Sequence, residues 1–237
     1  MTLRIGCVGC GNMGGAIMSG LARPGTGNEN RNSAYSLCGY NRTASRMQAL
    51  EKAGARVMAS PLAVAENADI ILLAVKPYQI HEIMEQIRPA LSKDKVIVSV
   101  AAGITMQSLQ HWASGRSTVV RCMPNTPALV GMGVFALCFE DPALSNERRQ
   151  DILQLFSVLG QCVEMGEDKF TAFSALIGAG PAYVFAMMQG LVQAGVTMGF
   201  SHAQARQMET ALFAGSARMA EEDATPLAQL RDNVCSP

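Results

Sequence analysis

The chain has 237 residues, of which 49% are hydrophobic and 16% are charged, so it can bury a sizeable core and is not expected to be disordered. Its 19 Lys and Arg residues are balanced by 19 Asp and Glu residues, and a chain without net charge has no long-range attraction for nucleic acid or an anionic membrane. Because it shows no signal peptide and no apolar run near the length of a membrane span, we predict a cytoplasmic protein whose partner is a small molecule.

The first predicted strand, Leu3–Val8, runs directly into Gly9-Cys10-Gly11-Asn12-Met13-Gly14. This is the G-x-G-x-x-G pattern between a strand and a helix, which is the context that dinucleotide binding needs. Gly9 is expected to allow the tight turn, Gly11 the approach of a pyrophosphate, and Gly14 the close packing of the helix. The helix is expected to begin near Asn12 and to present free N–H groups to the phosphates. The predicted cofactor-binding residues here are Gly9, Gly11, Asn12, Met13 and Gly14.

The second predicted strand, Tyr35–Tyr40, ends at Asn41 and Arg42, where an NAD-dependent protein usually has an acidic residue. Arg46 and two hydroxyl side chains follow at the start of a helix, which favours binding of a 2′-phosphate. We therefore predict NADPH as the cofactor, with NADH possible, and assign Asn41 and Arg42 to it. The alternative is an N-capping turn with surface arginines. Residues 23–33, before this strand, are predicted to be an exposed loop.

A continuous apolar run at residues 69–75 predicts the central strand of a parallel sheet. Helices and strands alternate on both sides of it, and further strands at residues 133–139 and 162–165 complete the pattern. The predicted fold class is α/β, with an N-terminal Rossmann-like, doubly wound, mostly parallel sheet.

From Lys169 onward the apolar positions recur at helical spacing. We predict a dinucleotide-binding domain at residues 1–165 and an all-helical dimerisation and substrate domain at residues 166–237. A helical segment of that size is small for a core of its own, so it is expected to pack on a partner subunit. The predicted assembly is a homodimer or a higher homo-oligomer.

The seven cysteines are an odd number, which indicates reduced thiols rather than a disulfide framework. Cys7 and Cys10 form a C-x-x-C pair. Cys7 belongs to a predicted strand and Cys10 to residues 9–14, which we call the phosphate turn, so we interpret both cysteines as packing residues. The three histidines lack metal-ligand spacing, and no metal site is predicted.

Four further segments, taken together, identify a family more specifically than any one motif does. They are Ala74-Val75-Lys76-Pro77, residues 99–104, Arg121-Cys122-Met123-Pro124-Asn125-Thr126-Pro127-Ala128, and Gly178-Ala179-Gly180-Pro181-Ala182-Tyr183. With residues 230–237, they give the chain a resemblance to pyrroline-5-carboxylate reductase over essentially its whole length. The resemblance implies hydride transfer from NAD(P)H to the C=N carbon of 1-pyrroline-5-carboxylate, the step that forms L-proline in proline biosynthesis.

The resemblance also implies how the cofactor meets the sheet. Residues 74–77 end the central strand at its carboxyl end, where ligands bind in open α/β sheets. The small side chains of residues 101–103 leave room for a nicotinamide. An ordinary strand-to-helix turn and a tight packing turn are the respective alternatives. The residues assigned to the cofactor here are Ala74, Val75, Lys76, Pro77, Ala102 and Gly103.

For the substrate, the resemblance implies that Asn125, held between two prolines, makes a preorganised contact with the nicotinamide or the imine. The segment that contains Gly178, Gly180 and Pro181 breaks one helix and starts the next, and the N–H groups of its glycines are suited to a carboxylate. The residues assigned to the substrate are Asn125, Gly178, Gly180 and Pro181. Glu167 is the candidate proton donor, and the alternative is a first-turn Glu that stabilises a helix dipole. The predicted catalytic residues are thus Glu167 and Asn125.

The chain departs from the family pattern in two places. Ala179 stands where the family usually has a serine, and the chain ends at Pro237 where the family continues into Gly-Gly-Thr-Thr, so the second domain is expected to be incomplete at its C-terminus. Two other functions remain open at this point. One is a β-hydroxyacid dehydrogenase-like oxidoreductase, for which Lys169 is the only nearby lysine, and the other is a non-catalytic NADPH-binding dimer that lacks the C-terminal substrate loop.

Overall fold

This computed structural model describes residues 2–22 and 35–235 of the chain. Within residues 3–164 of that part, one sheet of eight strands forms the centre of the fold. The loop predicted at residues 23–33 lies outside the described residues. The strand order is β3-β2-β1-β4-β5-β6-β7-β8. The strands are β1 Leu3–Val8, β2 Tyr35–Tyr40, β3 Arg56–Val57, β4 Ile70–Leu73, β5 Val96–Ser99, β6 Thr118–Met123, β7 Gly133–Cys138 and β8 Gly160–Glu164.

Neighbouring strands in this sheet are parallel, except that β6 and β7 are antiparallel. The direction of winding reverses between β1 and β4, because β2 and β3 extend to one side while β5 and β6 extend to the other. Such a reversal opens a crevice at the carboxyl ends of the strands, where ligands bind in α/β proteins. The predicted doubly wound, mostly parallel sheet is confirmed.

The helices between the strands and directly after β8 cover both faces of the sheet. They are α1 Asn12–Ala22, α2 Gln48–Lys52, α3 Pro61–Glu66, α4 Ile80–Ile87, α5 Met106–Ala113, α6 Asn146–Ser157 and α7 Phe170–Phe173. The helices α8 Gly180–Thr197, α9 His202–Glu222 and α10 Leu227–Val234 follow them in the chain. Because side chains alternate along a strand, Ile70 and Leu72 pack with α1 and α6, whereas Ile71 and Leu73 pack with α3, α4 and α5. Strand β4 is therefore buried on both sides, which explains its continuous apolar sequence.

The chain forms two compact units, Met1–Gly180 and Pro181–Pro237. The division comes later than the boundary after residue 165 that the sequence predicts. The reason is that Phe170 and Phe173 are buried in the core of the first unit, together with α4 and α5. Residues 166–180 are helical in sequence pattern, but their phenylalanines Phe170 and Phe173 pack with the sheet.

The second unit consists of helices whose apolar side chains are largely exposed, including Phe185 at 63%, Met187 at 57% and Leu212 at 54%. Among the described residues, the helical stretch Glu167–Thr197 is long and apolar enough to cross a membrane by length and composition, with a mean hydropathy of 1.5. The sequence pattern did not predict such a stretch, because glycines and glutamines interrupt the apolar run. None of its most apolar window is buried within this chain.

Candidate active site

The turn after β1, residues 9–14, has a backbone conformation that requires glycine at its first position. Gly9 has φ of +96°, and a Cβ there would lie 2.7 Å from the backbone N of Val75. Its N–H donates to the carbonyl of Tyr40 at 2.9 Å, and the N–H of Gly11 donates to the carbonyl of Gly9 at 2.7 Å. The turn is thus held between the ends of β2 and β4.

The other two glycines of the turn face different surroundings. A Cβ at Gly14 would lie 2.4 Å from the carbonyl oxygen of Gly9, so α1 can approach the strand only with glycine there. A Cβ at Gly11 would have Arg46 Nη1 as its nearest neighbour, at 3.4 Å. The turn is therefore open on the Gly11 side, where α1 begins at Asn12 as predicted and its first N–H groups lack helical acceptors. This cradle fits a pyrophosphate.

Beside the turn, the segment after β2 contributes two exposed arginines, Arg42 and Arg46. Arg46 Nη1 donates to Asn12 Oδ1 at 3.3 Å, so this guanidinium reaches the phosphate turn. Asn41 Nδ2 donates to the carbonyl of Thr43 at 3.1 Å and shapes the turn from within. Arg46 lies in the segment for which the sequence favours binding of a 2′-phosphate, but the sequence does not single it out. Its bond to Asn12 joins residues 34 positions apart.

The loops after β4 and β5 lie side by side at the same edge of the sheet. Ala74 N–H donates to the carbonyl of Val8 at 2.9 Å, and Val100 N–H donates to that of Leu73 at 3.1 Å. Residues 74–77 and 100–103 therefore continue the order β1-β4-β5 beyond the strands. Gly103 has φ of +76°, and apart from Gly103 and its two chain neighbours no heavy atom of the described residues lies within 4 Å of the place that a Cβ would take, so it leaves open space at this edge.

Asn125, which follows β6, is buried at 6% exposure. Its Oδ1 accepts the N–H of Val134 at 2.9 Å, and its Nδ2 donates to the carbonyl of Ile177 at 3.3 Å. The side chain thus joins the end of β6 to the beginning of β7 and to the segment at residues 174–178. Its predicted direct contact with nicotinamide or imine stays a prediction.

Glu167 is held by two other parts of the first unit. Its Oε1 accepts Arg121 Nη1 at 2.7 Å and the N–H of Met106, the first residue of α5, at 2.6 Å. The guanidinium of Arg121 also lies 4.7 Å from the centre of the Phe170 ring. The carboxylate therefore neutralises a buried arginine and caps a helix N-terminus, which favours an anchoring role. Its role as proton donor stays a prediction.

Residues 178–181, which contain Gly178 and Gly180, form a break between helices that we call the glycine turn. A π-helix, Ser174–Gly178, leads into it after α7, and there the N–H of Ala179 donates to the carbonyl of Ser174 at 2.9 Å. A Cβ at Gly178 would lie 2.9 Å from Met123 Cε, so the turn lies against the end of β6. Gly180 closes the first unit and Pro181 opens the second. Single turns of π-helix are frequent at functional sites.

The cysteines near the turn are packing residues in this structure, in which all seven are free thiols. The contact between the Cys7 and Cys10 side chains raises the pKa of Cys7 and lowers that of Cys10. On β7, burial raises the pKa of Cys138 to about 11. Across residues 2–22 and 35–235, no group of three or more His, Cys, Asp or Glu side chains is arranged to hold a metal ion.

Comparison with known proteins finds relatives along the whole chain. Residues 167–237 match the family described as pyrroline-5-carboxylate reductase dimerisation. Residues 4–103 match the family described as NADP oxidoreductase, coenzyme F420-dependent. A pyrroline-5-carboxylate reductase of Escherichia coli is 33% identical over 100% of this chain and 86% of its own length.

Solved structures agree with this. A pyrroline-5-carboxylate reductase from Coxiella burnetii superposes with a TM-score of 0.87 at 32% identity, covering 100% of this chain and 86% of that one. The Plasmodium falciparum pyrroline carboxylate reductase with NADP bound also has a TM-score of 0.87, at 28% identity, covering 99% of this chain and 85% of the other.

Proposed function

The chain belongs to the pyrroline-5-carboxylate reductase family, and from that premise we propose how its own residues carry out the reaction. It is an NADP-dependent oxidoreductase that reduces 1-pyrroline-5-carboxylate to L-proline in proline biosynthesis. One observation carries the assignment of the site. The turn at residues 9–14 is open on its Gly11 side and lies at the same edge of the sheet as the carboxyl ends of β4, β5 and β6, which lead into three of the family's motifs, residues 74–77, 99–104 and 121–128.

The turn at residues 9–14 is proposed to hold the pyrophosphate of the cofactor. Arg42 and Arg46 are proposed to bind the 2′-phosphate, because both are exposed beside the turn and a guanidinium binds phosphate bidentately. Residues 74–77 and 102–103 then face the nicotinamide half. When bound, the cofactor supplies the hydride that the C=N carbon of the substrate accepts.

The substrate reaction asks little of acid or base side chains. When the pyrroline nitrogen is already protonated on binding, hydride transfer needs no proton donor from a side chain. Correct positioning of the substrate therefore contributes most of the rate acceleration. We therefore propose Glu167 as an anchor for Arg121 and α5. The backbone N–H groups of Gly178 and Gly180, with Pro181 next in the chain, are proposed to bind the substrate carboxylate.

The protein is a homo-oligomer by family, and we propose that its smallest assembly is a homodimer formed through residues 181–237. The exposed apolar side chains of α8 and α9, among them Phe185 and Leu212, are a cost in water that a partner subunit removes. This burial, rather than insertion into a membrane, is our account of the apolar helix. A cytoplasmic location is proposed with it.

The function is tested by following oxidation of NADPH by the purified chain with 1-pyrroline-5-carboxylate and identifying the product by chiral amino-acid analysis. L-proline formed in step with NADPH loss is the expected result. NADPH binding without turnover indicates a non-catalytic NADPH-binding dimer, and NADP reduction with a 3-hydroxy acid indicates a β-hydroxyacid dehydrogenase. Light scattering of the same sample measures the number of subunits.

A further inference from the structure

The helix that leads to the glycine turn contains a carbonyl that the α-helical pattern cannot satisfy. In an α-helix the carbonyl of Ile177 would accept the N–H of the residue four positions later. That residue is Pro181, which has no N–H. The π-helix Ser174–Gly178 lies at the same place, so the regular hydrogen-bond ladder is interrupted immediately before the glycines.

Asn125 donates to this carbonyl from a distant part of the chain. Its Nδ2 lies 3.3 Å from the oxygen of Ile177, across 52 positions of sequence. Its Oδ1 accepts the N–H of Val134 at 2.9 Å. The side chain is only 6% exposed, so both bonds form away from bulk water, where an amide that loses a partner is costly.

The segment that contains Asn125 also lies against the glycine turn. Gly178 directly follows Ile177, and a Cβ on it would come within 2.9 Å of Met123 Cε, at the end of β6. Asn125 follows Met123 by two residues. The same short segment therefore contacts the turn twice, once through the apolar methionine and once through the amide.

We propose that Asn125 is a positioning residue for hydride transfer: its amide replaces the donor that Pro181 cannot supply to Ile177, and this holds the glycine turn at the end of β6. The inference rests on the proposed function, in which Gly178 and Gly180 bind the substrate carboxylate. Asn125 acts on the substrate through the turn and not by contact with the reacting atoms.

The variant Asn125→Asp separates the two bonds of this side chain. One carboxylate oxygen can still accept the N–H of Val134, while the other faces the carbonyl of Ile177 without a proton to donate. At neutral pH we expect kcat/KM for 1-pyrroline-5-carboxylate to fall roughly 10- to 100-fold, as for a small misplacement of substrate, with the KM for NADPH unchanged. As pH falls and the new carboxyl gains a proton, it becomes a donor again, so the ratio of variant to wild-type kcat/KM rises.

A matched control is Asn67→Asp. Asn67 Nδ2 donates to the carbonyl of Ala63 at 3.0 Å at the end of α3, which is the same kind of bond at the amino edge of the sheet. This control is expected to change the melting temperature but not kcat/KM. A second variant, Asn125→Ser, has a side chain too short to reach Ile177 and is expected to lose kcat/KM without recovery at low pH, and it serves if Asn125→Asp does not fold.

The double variant Asn125→Asp with Pro181→Ala gives Ile177 an N–H at the α-helical position, so it should regain part of the lost kcat/KM. The proposal is overturned if Asn125→Asp keeps wild-type kcat/KM at neutral pH, if the KM for NADPH rises equally, or if the double variant recovers nothing. A wild-type protein that forms no L-proline refutes the proposed function instead, and the inference with it.

Discussion

Replacing Gly11 by alanine should separate the folding of the phosphate turn from its use. Apart from its chain neighbours, the described atoms within 4 Å of a Cβ at this position are Arg46 Nη1 at 3.4 Å and the carbonyl oxygen of Gly9 at 4.0 Å. The turn therefore accepts the methyl group, and its free energy of unfolding should stay the same or rise by about 0.5 kcal/mol, since alanine restricts the unfolded chain. The open side of the turn, in contrast, loses the space in which we place the pyrophosphate.

The expected loss in binding follows from the hydrogen bonds at stake. Moving the phosphates away from the N–H groups of α1 weakens one charge-assisted hydrogen bond, each of which contributes about 1.5–3 kcal/mol. Because about 1.4 kcal/mol corresponds to a factor of ten, the Kd for NADPH should rise about 10- to 100-fold. Fluorescence titration measures the Kd, and thermal unfolding with and without NADPH checks stability in the same samples.

Two neighbouring glycines provide the comparison. In Gly15→Ala the new methyl lies 3.6 Å from the carbonyl of Cys10, an ordinary van der Waals contact that does not displace the turn, so NADPH binding should match wild type. In Gly14→Ala the methyl comes within 2.4 Å of the carbonyl of Gly9, so the protein itself should lose about 1–3 kcal/mol of stability. Wild-type affinity in Gly11→Ala, or a loss of stability there equal to that of Gly14→Ala, would refute the reasoning.

Three further outcomes follow from single side chains. Arg46→Ala should raise the KM for NADPH about tenfold or more and leave the KM for NADH unchanged, because only NADPH carries the 2′-phosphate. Steady-state kinetics measure both values, and an equal rise of the two KM values would contradict this. Glu167→Gln should lower the melting temperature, because losing the carboxylate partner of Arg121 costs about 1–3 kcal/mol of stability. The value of kcat and its pH profile should stay unchanged. Loss of one limb of that pH profile would instead indicate that Glu167 is a proton donor. The hydrogen bond and charge of Arg4 lower the pKa of Asp69, so this carboxylate stabilises the fold fully above its unfolded pKa of about 3.9 and loses the effect as pH falls through the lower folded value. Asp69→Asn should therefore reduce the melting temperature at neutral pH by an amount that shrinks below about pH 4, and a difference that stays constant over this range would disprove the assignment.

Much of the cofactor site could be predicted from sequence because its signals are local. Gly9, Gly11 and Gly14 lie within one turn at a spacing that is visible in the sequence. Gly9 and Gly14 meet backbone requirements of the turn, and Gly11 keeps its open side free for a ligand. The roles of Asn125 and Glu167 could not be predicted in the same way. A polar residue between prolines or at the start of a helix indicates a preorganised group, but not which atom it binds.

The amino-acid sequence by itself determined the order of helices and strands, the parallel sheet and the position of the phosphate turn, because hydrophobic periodicity and glycine spacing act over a few residues. Only the tertiary structure decided that Glu167 reaches Arg121 and Met106, 46 and 61 positions away, and that Asn125 reaches Ile177. It also decided that Phe170 and Phe173 pack with the sheet. Side-chain hydrogen bonds and core burial depend on which elements meet in space, and that meeting is a property of the whole fold rather than of any short segment.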